Sequence, residues 1–375
     1  MAFRVMVIGG YGNFGSIVCR HLVVMPSVAL VISGRAPHKL LRKVDELKTQ
    51  SGTVCESWCG DAMGTEFKSV LGSMNINLVI HTGGPFQGQS YAVAENCIGA
   101  GVNYCDLSDC RTFVTGIGVL DARAKQAGVA ILSGCSSVPT LSAAIIDQQR
   151  YRFKRIDLIE HGISSSAKMP GLSTVKGVLA YAGKPIKQLK HGEVHEVLGW
   201  QDLKLRKMQH LGTRVLANVD VPDMDIFASR YGAQTLSFKA GAGLKLGGVA
   251  NYLLAQALRI GMVRDHAPWA ERLHRWGLWF ERFGDGKSAM YIDVQGIGVD
   301  GKPLSMTVQL TALNDKGPEI PSCAAVALAT KIAQGYLPEP GARACVGEIT
   351  VDEYMAAIND PENLSMSVYF SDEQS

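Results

Sequence analysis

The sequence predicts an α/β fold: an N-terminal Rossmann domain with a doubly wound parallel sheet, followed by a second, mixed α/β domain. An apolar strand at the start of the chain runs into a glycine-rich turn and then into a helical pattern. Short apolar strands alternate with helical segments over the first third, which is typical of parallel sheets. Farther on, alternating strands flank Asp300-Gly301, a hairpin signal that indicates an antiparallel or mixed second sheet.

The length of 375 residues allows two domains. We predict a dinucleotide-binding domain over 1–150, a substrate and dimerisation domain over 151–320, and a C-terminal helix and tail over 321–375. Packing of this tail back onto the first domain is one option. The net charge of +3 is too small to indicate nucleic-acid binding. We expect a small-molecule substrate and, as a separate expectation, a homodimer.

The nine cysteines include no C-x-x-C pair, and the apolar surroundings of several are typical of reduced, buried thiols. A strand that begins at Phe3 leaves no room for a signal peptide. Together these features favour a cytoplasmic location. The apolar segment 246–263 predicts a buried helix, with association with a membrane surface as the less favoured alternative.

The turn after the first strand has the G-x-G-x-x-G spacing of dinucleotide-binding proteins. Gly10 would permit the sharp turn, Gly12 would let the backbone approach a pyrophosphate, and Gly15 would let the helix pack closely on the strand. The helix N-terminus would attract the phosphates. The predicted cofactor-binding residues of this turn are Gly10, Tyr11, Gly12, Asn13, Phe14 and Gly15.

The end of the second strand predicts which dinucleotide binds. Enzymes that use NAD usually have an Asp or Glu there, which binds the ribose 2′-hydroxyl. This chain has Ser33, followed by Arg35, and these residues can hydrogen-bond and neutralise a 2′-phosphate. NADP is therefore favoured, although Arg35 as an ordinary exposed turn residue remains the alternative.

Candidate reactive groups follow the later strands. Ligands of doubly wound sheets bind beyond the carboxyl ends of the strands. A turn there, predicted to lie beside the nicotinamide ribose, contains Thr82, Gly83, Gly84 and Pro85. Asp106 follows the fifth strand as a candidate proton donor, and Arg111 could hold a substrate carboxylate. Lys168 is a second candidate for proton transfer or for neutralising an acidic substrate.

Other polar groups have ordinary structural alternatives. Asp109 and Ser137 could each cap the helix that follows, and Ser136 and Ser137 could equally bind a carboxamide or an anion. His81 lies in an apolar strand and fits a packed core histidine. His191 and His195 fit a polar hairpin, and no metal-ligand spacing stands out, so no metal site is predicted.

Several motifs resemble the saccharopine dehydrogenase-like NADP-dependent oxidoreductases, in particular their predicted-reductase branch. The matching segments are 9–15, 33–35, 81–86, 94–97, 101–106, 317–321 and 340–342. The resemblance implies a Gly-Pro-Phe turn after one strand and a later Gly-x-x-Tyr-x-Asp strand that borders the nicotinamide. The chain departs from the family pattern at 107–110 and at 135–139, so saccharopine itself is not the expected substrate.

The resemblance implies hydride transfer to or from an imine or a related amino-acid-like substrate. An alternative is a carbonyl or enoyl reductase for a lipid-like substrate, based on segment 246–263 and on the aromatic residues Trp269, Trp276, Trp279 and Phe280. A third hypothesis is a non-catalytic NADP-binding regulator, in which Asp106 and Arg111 are structural.

Overall fold

A computed structural model describes residues 2–51, 55–166, 177, 181–241, 256 and 284–371. The chain divides into two compact units. The first combines Met1–Ala144 with Pro318–Asn359, and the second combines Ile145–Gly317 with Asp360–Ser375. The chain therefore leaves the first unit and later returns to it, whereas three successive segments were predicted, with packing of the tail onto the first domain as one option.

The first unit contains a seven-stranded sheet whose neighbouring strands are all parallel. Its strands are β1 (Phe3–Ile8), β2 (Val28–Gly34), β3 (Glu56–Cys59), β4 (Leu78–His81), β5 (Asn103–Asp106), β6 (Ala130–Ser133) and β15 (Gly341–Ala344). Their spatial order is β15-β6-β5-β4-β1-β2-β3, which contains the 3-2-1-4-5-6 order of dinucleotide-binding sheets. The predicted doubly wound sheet is confirmed, with β15 as an added edge strand.

Helices bury central strands of this sheet such as β1, β4 and β6, which explains their largely apolar sequences, whereas the edge strand β3 is mostly exposed. The helices of the unit are α1 (Asn13–Leu22), α2 (Pro37–Ser51), α3 (Phe67–Ser73), α4 (Ala92–Ala100), α5 (Arg111–Gly116), α6 (Asp121–Ala127), α9 (Glu319–Ala333) and α10 (Val351–Ile358). Met6 and Val79, for example, share a buried cluster with Phe67 and Cys97 of α3 and α4. Helix α9 is rich in alanine and almost entirely buried, and it packs against α1.

The sequence pattern predicts one helix over 111–127 and another that Pro139 opens and that runs to about Arg150, and both differ from the structure. The segment 111–127 is not one helix, because a 3₁₀ turn at Ile117–Leu120 separates α5 from α6. Pro139 does not open a helix: it follows a cis peptide bond in an irregular turn, and α7 (Ser142–Gln149) begins three residues later. In that turn the Thr140 hydroxyl donates a hydrogen bond to the Gly134 carbonyl at 2.8 Å, which closes the loop after β6.

The second unit contains a mixed sheet of nine described strands. They are β7 (Phe153–Ser164), β8 (Pro185–Lys190), β9 (Glu193–Leu198), β10 (Lys204–Met208), β11 (Gly212–Asn218), β12 (Thr235–Gly241), β13 (Ser288–Gly298), β14 (Pro303–Ala312) and β16 (Leu364–Ser371), with helix α8 (Asp223–Tyr231). Strand β7 pairs in parallel with β12 and antiparallel with β13. The hairpin predicted around Asp300-Gly301 joins β13 to β14, and the predicted mixed second sheet is confirmed.

Among the described residues, no helix combines the length and the apolarity needed to cross a bilayer. The apolar segment 246–263, apart from Gln256, lies outside the described residues. The same is true of Lys168 and of the aromatic residues Trp269, Trp276, Trp279 and Phe280.

Candidate functional site

The turn between β1 and α1 leaves a helix N-terminus open. Gly12 precedes α1, and among the described residues no side-chain cap is found at this end of the helix. The first turn of α1 also contains no acidic residue. Since the first N–H groups of a helix have no partner within the helix, this end can receive an anionic group such as a phosphate.

The glycines of this turn have separate structural tasks. The positive φ of +78° lies at Gly9, not at Gly10, so the sharp turn assigned to Gly10 is made one residue earlier. A Cβ on Gly15 would lie 2.3 Å from the Gly9 carbonyl oxygen, whereas a Cβ on Gly12 would meet that same oxygen at 3.0 Å and nothing nearer. Gly15 therefore allows α1 to approach closely, and Gly12 adds no side chain to the outer surface of the turn.

Tyr11 connects this turn to the end of β2. Its hydroxyl accepts hydrogen bonds from the backbone N–H groups of Arg35 at 3.1 Å and Ala36 at 3.3 Å. Its ring covers Gly34, where an added Cβ would lie 2.2 Å from the ring carbon Cε1. Tyr11 thus occupies two backbone donors at the position where the sequence predicts a 2′-phosphate.

Ser33 and Arg35 differ in accessibility. The Ser33 side chain is buried, and its hydroxyl has no hydrogen-bond partner among the described residues. The Ser33 carbonyl accepts hydrogen bonds from the N–H groups of Gly9 and Gly10. Arg35 is exposed. Of the two residues predicted to contact a 2′-phosphate, Arg35 alone presents its side chain at the surface.

The turn after β4 is held from both ends. The Thr82 hydroxyl donates to the Ile8 carbonyl at 2.8 Å, which ties the turn to β1. The Gln89 side-chain amide donates to the carbonyls of Gly83 at 2.9 Å and Pro85 at 2.7 Å. The turn is half-buried and has a fixed course. Gln89 was not among the residues predicted from the sequence; its position four residues after Pro85 is the signal that could have indicated it.

Asp106 is enclosed at the carboxyl end of β5. It has no exposed surface, and its Oδ1 accepts from the Ser108 N–H at 2.9 Å, the Ser133 hydroxyl at 3.1 Å and the Gly134 N–H at 2.9 Å. Burial raises the pKa of Asp106 to about 6, and these hydrogen bonds limit the rise. The predicted role as a proton donor requires an accessible carboxyl, and this one instead ties together the loops after β5 and β6.

A buried polar group lies beside Asp106. His81 Nδ1 lies 3.2 Å from the Tyr104 hydroxyl, and Tyr104 also interacts with Asp106. Burial lowers the pKa of His81 to about 4, so the imidazole is neutral near pH 7. This agrees with the interpretation of His81 as a core histidine.

The remaining predicted residues lie at different depths. Arg111 is the first residue of α5 and is partly exposed. Asp109 is exposed and does not cap this helix, whose preceding residue is Cys110. Ser136 and Ser137 are buried, and the Ser136 hydroxyl donates to the Pro321 carbonyl.

A cavity of about 380 Å³ opens beside the starts of α4 and α5. Aromatic side chains form much of its wall: the rings of Phe86 and Phe113 are 5.2 Å apart, and those of Tyr91 and Phe113 are 4.8 Å apart. Gln89 also lines it. The cavity is therefore next to the turn that Gln89 holds, and it was not predicted from the sequence.

The chain has the fold of saccharopine dehydrogenase. Its structure matches that of the L-Glu-forming saccharopine dehydrogenase from Saccharomyces cerevisiae with a TM-score of 0.64 and 13% identity, over 98% of this chain and 100% of that one. The predicted resemblance is confirmed at the level of the fold. No protein-family model and no curated protein matches the sequence.

Two further solved structures are more distant. A Bacillus subtilis protein described as an oxidoreductase has a TM-score of 0.39 at 13% identity, over 96% of each chain. An alcohol dehydrogenase from Thermococcus sibiricus, in complex with 5-hydroxy-NADP, has a TM-score of 0.23 at 16% identity, over 29% of this chain and 59% of that one. Neither likeness is close enough to carry an argument.

Proposed function

We propose that the chain is an NADP-dependent oxidoreductase that transfers a hydride to or from an imine or amino-acid-like substrate. The observation that carries this proposal is the open N-terminus of α1 beside the bare Gly12, at the carboxyl edge of a doubly wound sheet. This combination of donors, shape and sheet position suits a pyrophosphate.

The choice of NADP rests on the end of β2. The residues Ser33, Gly34 and Arg35 include no carboxylate. No acidic side chain there would therefore bind a ribose 2′-hydroxyl as in NAD enzymes, and none would repel a 2′-phosphate. The exposed Arg35 can form a charge-assisted pair with that phosphate. The backbone donors of Arg35 and Ala36 would become available when the Tyr11 hydroxyl moves aside.

The nicotinamide, when bound, supplies or accepts the hydride. The chain has to position and enclose the reactants. The turn 82–85, held by Thr82 and Gln89, gives a fixed wall at the carboxyl edge of the sheet. Asp106 acts as a positioning residue that joins two neighbouring loops, Arg111 is the candidate to bind a substrate carboxylate, and Lys168 remains a candidate for proton transfer.

A carbonyl or enoyl reductase for an apolar substrate is the second candidate. The aromatic cavity beside the turn 82–85 favours it, because Phe86, Tyr91 and Phe113 supply apolar surface and Glu95 is the one charged residue of the described lining. Oxidation of NADPH, measured with two panels of substrates, separates the candidates. The first panel contains imines formed from amines and oxo acids, and the second contains apolar ketones or enoyl compounds. Turnover only with the apolar panel would reject the first proposal.

We also propose a cytoplasmic homodimer that acts on a small molecule and does not bind nucleic acid, with membrane association as the less favoured alternative. The small net charge supports the absence of nucleic acid. Sedimentation at several protein concentrations tests the dimer.

The first test is cofactor choice, measured by fluorescence titration with NADPH and NADH. NADPH should bind more tightly to the unmodified chain. Arg35→Ala should weaken NADPH binding about tenfold or more and leave NADH binding unchanged, because one charge-assisted pair contributes roughly 1.5–3 kcal/mol. Lys48→Ala, at the exposed far end of α2, is the matched charge control. Equal affinities of the unmodified chain for the two cofactors would reject the choice of NADP.

A further inference from the structure

Three metal-binding side chains meet where α1 packs against α9. They are His21 in the last turn of α1, Glu319 at the start of α9, and Cys323 one turn farther along α9. Their donor atoms all lie within 4.8 Å of one another. Glu319 and Cys323 are buried, whereas the His21 side chain is 24% exposed, which leaves a route from solvent.

The spacing of Glu319 and Cys323 follows from the helix. Residues four apart lie on the same face, so both side chains point to the place where His21 arrives from α1. The sequence did not reveal the cluster, because His21 and Glu319 are 298 positions apart.

We propose that His21, Glu319 and Cys323 bind a divalent transition-metal ion, with Zn²⁺ as the favoured ion. The three donors are imidazole nitrogen, carboxylate oxygen and thiol sulfur, which are the usual ligands of zinc in proteins. Soft sulfur and imidazole ligands disfavour Mg²⁺ and Ca²⁺, which prefer oxygen.

The distances are close to those of a tetrahedral site. Zinc bond lengths of roughly 2.0–2.3 Å place neighbouring ligand atoms about 3.4–3.6 Å apart. Cys323 Sγ lies 3.6 Å from Glu319 Oε2 and 3.8 Å from His21 Nε2. His21 Nε2 and Glu319 Oε2 lie 2.7 Å apart, a hydrogen-bond distance, so the ion would replace the shared proton and the two atoms would separate slightly.

Charges around the cluster fit a bound dication. A thiolate and a carboxylate supply two negative charges, and the negative end of the α1 dipole is offset by the positive end of α9, where Glu319 lies. Arg20 lies 3.6 Å from Glu319 Oε1, so it engages the other carboxylate oxygen and leaves Oε2 facing His21 and Cys323. With three protein ligands, a water molecule would complete four-coordination.

A bound ion would link α1, the first helix of the chain, to α9, which lies near the end of the chain. Metal that binds only the folded protein stabilises it by mass action. An ordinary hydrogen-bonded His–Glu pair next to a buried thiol is the competing explanation, and it predicts no effect of metal.

The test uses the full chain after treatment with a chelator. Co²⁺ titration should give a thiolate charge-transfer band and visible bands of a tetrahedral site at one ion per chain, and Zn²⁺ should displace Co²⁺ and raise Tm. Cys323→Ser should abolish the charge-transfer band, and His21→Gln should weaken Co²⁺ binding at least about tenfold, the smallest loss typical of changes around metal sites.

The control variant is Cys59→Ser, because Cys59 is exposed and could bind metal adventitiously. It should leave the spectrum unchanged. The proposal is overturned if the unmodified chain shows no such band and no Zn²⁺-dependent shift in Tm. It is also overturned if the band survives in Cys323→Ser or disappears in Cys59→Ser. The band and Tm of the unmodified chain decide the question even if Cys323→Ser does not fold.

Discussion

At the scale of single residues, two buried titratable groups have opposite effects on stability. The folded-state pKa of Asp106 is raised to about 6, so its contribution to stability is lost as pH rises from about 4 to about 6. The folded-state pKa of His81 is lowered to about 4, so its contribution is lost as pH falls from about 6.5 to about 4. In the unmodified chain the two effects largely cancel over this range.

Asp106→Asn should remove the first effect. An amide oxygen can still accept from the donors around Asp106 Oδ1, and the buried charge is absent. Relative to the unmodified chain, the variant should gain stability as pH rises from about 4 to about 6, by up to about 3 kcal/mol. Urea unfolding at pH 4.5, 5.5 and 7 measures this, with the exposed Asp45→Asn as control. If the difference in stability between the variant and the unmodified chain does not vary with pH, the Asp106 carboxyl is not buried and hydrogen-bonded as the structure shows.

At the scale of elements, the turn between β1 and α1 combines a structural glycine with one that leaves a bare surface. Gly15 is needed for the close approach of α1 to the Gly9 carbonyl and to Thr82. Gly12 is less tightly packed, because a Cβ there would meet only the Gly9 carbonyl oxygen, at 3.0 Å, and it borders the open N-terminus of α1. Substitution of Gly15 should therefore lower the stability of the fold, whereas substitution of Gly12 should abolish dinucleotide binding.

Gly12→Val should abolish dinucleotide binding while the fold is retained, because a branched side chain would cover the bare surface. Gly15→Ala should instead lower the free energy of unfolding, by roughly 1–3 kcal/mol, since the added methyl group overpacks the turn. Urea unfolding and cofactor titration of both variants check this. Gly72→Ala is the control, because a Cβ there meets nothing within 4 Å. Normal cofactor binding by a folded Gly12→Val chain would exclude this turn as the site.

At the scale of the whole molecule, the first unit is discontinuous in sequence. Helix α9 is buried through residues such as Cys323, Val326 and Leu328, and β15 pairs with β6. Both elements come from the segment Pro318–Asn359. Without this segment, the first part of the chain would expose the apolar surface that α9 covers.

A fragment of residues 1–150 should therefore lack a cooperative unfolding transition. A single chain in which 1–144 is joined by a flexible linker to 318–359 should regain one, because it contains every element of the unit. Urea unfolding followed by circular dichroism compares the two. Cooperative unfolding of the shorter fragment would show that α9 and β15 are dispensable.

The sequence by itself determined the local elements whose signals lie within a few residues. The glycine turn, the alternation of β1 through β6 with helices, and the hairpin at Asp300-Gly301 follow from backbone freedom and hydrophobic period. It also placed Ser33 and Arg35 at the end of β2, since strand polarity fixes which residues reach the ligand edge.

Tertiary structure decided what depends on neighbours distant in sequence. Burial of Asp106 comes from donors at 133 and 134, and the enclosure of Ser33 comes from packing around β2; neither is visible in a local pattern. The return of α9 and β15 to the first sheet places Glu319 and Cys323 beside His21. Such contacts depend on how the whole chain buries its apolar surface. The sequence therefore indicated candidate residues, and the fold determined which of them are accessible and which lie together.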